Sequence, residues 1–134
     1  MRQLVAGMLE EESVIAIVDT EAGLEHLSRG TARHVDTLVV MMEPYYRALE
    51  TARRTAELGR ELGITRIVAV SNKIRDAVDQ KTITDYARAN RLQVVGEIPF
   101  DEELRRAEQR RVAPLETKAK ALDAMALLAE ALVP

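Results

Sequence analysis

Val14-Ile15-Ala16-Ile17-Val18-Asp19-Thr20-Glu21-Ala22-Gly23 is the stretch on which the reading of the fold turns. An unbroken apolar run dominated by β-branched side chains predicts a strand over 14–19, buried on both faces as in a parallel sheet. The run ends on a carboxylate, with a glycine four residues later. In open α/β sheets, ligands bind outside the carboxyl ends of the strands, which places Asp19 where chemistry happens. A carboxylate there suits Mg²⁺, a hard cation that keeps several of its waters. Gly23 lets a backbone N–H approach a phosphate with no Cβ in the way. Taken alone, the same residues also read as an acidic strand end followed by a turn glycine.

Working outward, the same alternation recurs. Leu4, Met8 and Leu9 predict a helix over 1–11, and 24–34 a short helix with Leu24 and Leu27 inward. Thr37 to Met42 is a second buried strand, closed by Glu43-Pro44. Pro44 suits the first turn of a helix that runs to about Leu62, with Leu49, Ala52, Ala56 and Gly59 or Gly63 on one stripe and Gly63 also the candidate stop. Ile67 to Val70 is a third strand, running into Ser71-Asn72-Lys73, and 81–90 a helix with Ile83, Tyr86 and Ala87 inward. Val94 to Ile98 is a fourth strand, followed by Pro99-Phe100-Asp101 and a charged helix over 102–110. Leu115, Ala119, Leu122, Ala126 and Ala129 mark a long amphipathic C-terminal helix. Strands alternating with helices predict an α/β fold, a mostly parallel sheet with helices on both faces, as a single domain over 1–134.

Composition narrows the function. The chain has 134 residues, 47% of them hydrophobic and 31% charged, a soluble globular profile. A net charge of −3 leaves no basic excess to replace the counterions of a nucleic acid. No cysteine is present, which excludes disulfides and thiolate metal sites. No apolar run approaches the ~20 residues that span a bilayer. Glu10-Glu11-Glu12 breaks any signal-peptide pattern, so no membrane partner is expected and a cytoplasmic location is. His26 and His34 lie eight apart, well off a common helical face, and read as surface histidines rather than nickel ligands. The arginines at 105, 106, 110 and 111 alternate with glutamates as a solvated face.

Three strand ends share one rim in this arrangement: Asp19 to Gly23, Asn72-Lys73, and Pro99 to Asp101. An Asn at a strand end can pair bidentately with N6 and N7 of an adenine. The aliphatic stem of Lys73 can cover a base face, although Asn-Lys by itself is also a common turn with a solvated lysine.

In this order, Asp-Thr-Glu-Ala-Gly, an Asn-Lys strand and Ile-Pro-Phe-Asp resemble the MinD/ParA-type P-loop ATPases. The run Glu21 to Thr31 (EAGLEHLSRGT) resembles their CooC-type branch, the accessory ATPases that mature carbon monoxide dehydrogenase. The resemblance covers residues 1 to about 115 and only the C-terminal half of the family's ATPase domain. It implies that Asp19 holds Mg²⁺ and Gly23 senses the γ-phosphate. It further implies that Asn72 and Lys73 meet the adenine of ATP while Pro99 and Phe100 border it. It also implies carbon monoxide dehydrogenase or a similar metalloenzyme as partner, nickel insertion as the task, and a homo-oligomer. Two departures stand out. Relatives often carry serines after Glu43-Pro44, where this chain has Tyr45 and Ala48. And none of the six glycines is followed by Lys, so the phosphate-cradling G-x-x-x-x-G-K-[ST] loop is not in these residues. Met1 therefore resembles an internal methionine of a longer protein, and the chain by itself is expected not to hydrolyse ATP. In the family the P-loop strand lies between the strand ending at Asp19 and the strand at 37–42. With that strand missing, 14–19 is expected to pair directly with 37–42 or to accept a strand from another chain. The rival readings are a non-catalytic module that docks to a partner ATPase or target enzyme, and a fragment of a ParA-like positioning ATPase.

Overall fold

The computed structural model describes residues 15–20 and 34–132. Three parallel strands are joined in the order β1 (Thr37–Met42), β2 (Arg66–Ile74), β3 (Gln93–Pro99). Helix α1 (Tyr46–Glu61) connects the first pair and α2 (Ala77–Ala89) the second. After β3 come α3 (Glu102–Arg110), one 3₁₀ turn (Pro114–Glu116) and α4 (Ala121–Leu132).

The pleat sends alternate residues to opposite faces, and each face has its own core. On one side Leu38, Val40 and Met42 of β1 meet Leu49, Ala52 and Ala56 of α1 and Ile83 and Ala87 of α2. On the other, Val70 and Ile98 meet Ala121, with Val39, Leu104 and Leu128 packed around them. Helices thus cover both faces of a parallel sheet, as the alternating pattern predicts. The small stripe Leu49, Ala52, Ala56, Gly59 is the buried face of α1. Gly63 follows the helix at φ +87°, the left-handed turn that ends many helices on a glycine.

Four expectations are corrected or fall outside the described residues. Residues 15–20 carry no strand, and Ile15, Ile17 and Val18 are 66%, 93% and 53% exposed, so the strand over 14–19 buried on both faces is not there. Nor do residues 15–20 pair with β1, whose neighbour among the described residues is β2 alone. An apolar run becomes a strand only where a neighbour takes up its N–H and C=O groups, and none does so among the described residues. The expected helices over 1–11 and 24–34 lie outside the described residues, apart from His34, which sits in a turn.

Helix α2 starts four residues earlier than its apolar spacing indicates. Asp76 caps it, accepting from the amides of Val78 at 2.8 Å and Asp79 at 2.9 Å. The C-terminal helix is shorter than expected. The Thr117 hydroxyl donates to the Pro114 carbonyl at 2.6 Å and accepts from the Ala119 amide, closing a separate turn that leaves Leu115 87% exposed. Its inward side is also shifted, to Ala121 and Leu128. Leu128 Cδ1 comes within 2.8 Å of where a Cβ on Gly96 would stand, so Gly96 is what lets α4 lie against β3.

Candidate functional site

The carboxyl ends of all three strands open on one rim, and β2 supplies its centre. Register slips between Asn72 and Ile74: Asn72 sits opposite Ile98 and Ile74 opposite Pro99, leaving Lys73 as an extra residue. Lys73 is accordingly in a left-handed conformation, φ 60°, an unusual state for a side-chain-bearing residue. The bulge has a chemical consequence. Asn72 and Lys73, which would face opposite ways on a regular strand, both reach the same carboxylate oxygen of Glu43 just past β1. Lys73 Nζ is 2.8 Å from Glu43 Oε1, and Asn72 Nδ2 donates to that oxygen at 3.5 Å. Backbone strain of this kind concentrates at functional sites.

The rim continues through two further bridges. The Phe100 amide donates to the Ile74 carbonyl at 2.8 Å, which carries the β2–β3 pairing past Pro99. Arg75 lays its guanidinium over the Phe100 ring, 4.4 Å from the centroid, and donates from Nη1 to the Tyr45 hydroxyl at 2.8 Å. That hydrogen bond, first among the causes, raises the guanidinium above its ordinary pKa, so Arg75 is a permanent cation. Tyr45 follows directly on Glu43-Pro44, and its hydroxyl holds Arg75.

Asp101 closes the rim. Its side chain caps α3, accepting from the Glu103 amide at 2.8 Å and the Leu104 amide at 3.4 Å, and its second oxygen accepts from Ala121 at 3.1 Å. The Ala121 amide, then those of Glu103, Leu104 and Lys120, hold its carboxyl below the ordinary range against an opposing desolvation. One carboxylate therefore fixes where two helices begin.

Of the residues singled out from the sequence, Asn72, Lys73, Pro99 and Phe100 converge on this rim. Asp19 is an exposed residue in the non-regular segment 15–20, and Gly23 lies outside the described residues. No cluster of three or more His, Asp or Glu side chains that could hold a metal occurs among the described residues. Sequence reasoning passed over Glu43, Tyr45 and Arg75. Glu43-Pro44 was legible as the end of a strand, but the Lys73 bulge that turns two side chains towards it leaves no mark in the apolar pattern.

No protein-family model matches the chain. It is 39% identical over 109 residues to the carbon monoxide dehydrogenase accessory protein CooC of Rhodospirillum rubrum, a match covering 81% of this chain and 41% of that protein. Two uncharacterised ATP-binding proteins of Methanocaldococcus jannaschii are 33% and 34% identical, over 81% and 78% of the chain and 42% and 41% of their own lengths. The chain thus spans about two-fifths of the length of the curated relatives it matches. Among solved structures, the MinD cell division protein of Aquifex aeolicus superposes with a TM-score of 0.66 at 18% identity, over 84% of this chain and 51% of that one. At that identity the likeness concerns the fold alone, a parallel sheet with helices on both faces. Over 81% of its length the chain is thus similar to the C-terminal part of CooC, and its fold is similar to that of MinD.

Proposed function

We propose that this chain is the base-reading part of an ATP-binding accessory protein that serves the maturation of carbon monoxide dehydrogenase or a similar metalloenzyme, with nickel as the cargo. The observation that carries the reading is the convergence of Asn72, Pro99 and Phe100 at the carboxyl rim of a chain 39% identical to CooC. The donor set fits an adenine. Asn72 offers an amide donor and an acceptor to N7 and N6, and the rim around it holds a ring and aliphatic surface. The fit does not extend to the triphosphate. The amide cradle and lysine of a P-loop are not among these residues, so no phosphoryl-transfer step is assigned to this chain. Asp19 would hold Mg²⁺ mainly through water, as a single carboxylate can, and Gly23 would lie beside the terminal phosphate. When bound, the metal would offset phosphate charge. This chain's own residues orient the base and exclude water from its edge.

A homo-oligomer is part of the same proposal, because β1 has a free hydrogen-bonding edge among the described residues. The rival, a docking module with no nucleotide, gives an opposite result in one experiment. The chain is joined in frame to the P-loop half of Rhodospirillum rubrum CooC and tested for activation of nickel-free carbon monoxide dehydrogenase. ATP-dependent activation supports the proposal. Activation that ignores ATP supports the docking module, and no activation at all counts against an accessory role.

A further inference from the structure

The resemblance implies that Phe100 borders the base. Its ring has a cation on it: the Arg75 guanidinium lies 4.4 Å from the centroid, held by a 2.8 Å hydrogen bond to the Tyr45 hydroxyl. The same residue is pinned at its backbone, where its amide donates to Asp79 Oδ2 at 3.0 Å. One side chain therefore joins the loop after β1, the loop after β2 and the residue after β3. An Arg locked at both ends loses little freedom on meeting a ligand, so ordering it adds little to the cost of binding. Its flat delocalised surface stacks on nucleobases as aromatic rings do.

We infer that Arg75, rather than Phe100, supplies the stacking face for the base at this rim, with Phe100 and Tyr45 holding the guanidinium flat behind it. The inference rests on the adenine reading proposed above. The guanidinium is the stacking surface, and its charge alone is not enough.

The test uses the chain itself, isotope-labelled for NMR, with adenosine as the probe so that no phosphate cradle is needed. Adenosine in the millimolar range is expected to shift the Arg75 Nε–Hε signal and the Asn72 side-chain amide together, in a response that does not saturate, while ribose shifts neither. Arg75→Lys keeps the charge and loses the plane. It is expected to reduce the Asn72 response at fixed adenosine about two- to five-fold. Arg75→Gln, the second variant, is expected to do the same, and dispersed spectra establish that both remain folded. If Asn72 responds in the wild type and either Arg75 stays silent or Arg75→Lys changes nothing, the stacking role is wrong and the adenine reading stands. If adenosine shifts neither signal, the adenine reading falls, and this inference with it.

Discussion

A single residue out of register organises the rim. Lys73 takes the left-handed conformation because two residues of β2 oppose one step of β3, and this turns Asn72 and Lys73 towards Glu43. The identity of the rim residues was legible in the sequence, since Asn72 and Pro99 fall at strand ends that apolar runs mark. Their partners were not, because a bulge adds no apolar signature and Glu43 lies about thirty positions away. Charge at this scale sets the acid stability. Arg53, with Tyr86 and Arg54, lowers the Glu50 carboxyl from 4.5 to about 2, and the Ala121 amide leads those that lower Asp101 from 3.8. A folded-state pKa below the unfolded one contributes stability that is present above the unfolded value and lost as pH falls through the folded one. Melting temperature is therefore expected to hold above about pH 4.5 and to drop towards pH 2, with Glu50→Gln and Asp101→Asn each flattening that drop. Thermal melts across this range decide it, and a wild-type profile with no acid slope would contradict the assignment.

Among elements, the strands at 37–42, 66–74 and 93–99 emerge where apolar runs place them, because each has a neighbour and a helix to bury against. The run at 14–19 is as apolar as that at 37–42, yet its described residues, 15–19, form no strand. Apolarity reports a wish for burial; pairing needs a partner in the right place. The inward stripe of α4 was misread for a related reason. Pro114 and Thr117 close a turn of their own, so the helix restarts at Ala121 with a different face inward. Gly96 is the contact point for that face. Gly96→Val puts branched carbons against Leu128 and is expected to cost about 1–3 kcal/mol, measured by urea unfolding. Gly96→Ala meets only the flexible end of Leu128 and is expected to cost less. Equal costs for the two would mean that α4 is not held by this approach.

At the scale of the whole molecule, the described sheet has an unguarded side. Among the described residues β1 is hydrogen-bonded only to β2, its sequence TLVVMM carries neither charge nor proline, and Met41 is 45% exposed. Edges of that kind recruit strands from other chains. The chain is expected to self-associate reversibly through β1, with a sedimentation coefficient that rises with concentration and that Met41→Lys returns to the monomer value. A monomer at every concentration would rule this out. Ligand binding is a second property of the whole chain: with no G-x-x-x-x-G-K-[ST] loop in its sequence, calorimetry of MgATP into it is expected to give no saturable heat, since base contacts do not offset the cost of immobilising a polyanion.

The central claim is that the rim at Asn72 reads an adenine, and one titration addresses it without intermediaries. The chain joined to a P-loop half is titrated with MgATP and MgADP by calorimetry, as wild type and as Asn72→Ala. The lost bidentate pair, about 1–3 kcal/mol, predicts affinity lower by roughly 5- to 150-fold, equally for both nucleotides, because the base and not the phosphates is affected. Unchanged affinity in Asn72→Ala, or a loss confined to MgATP, would contradict the account.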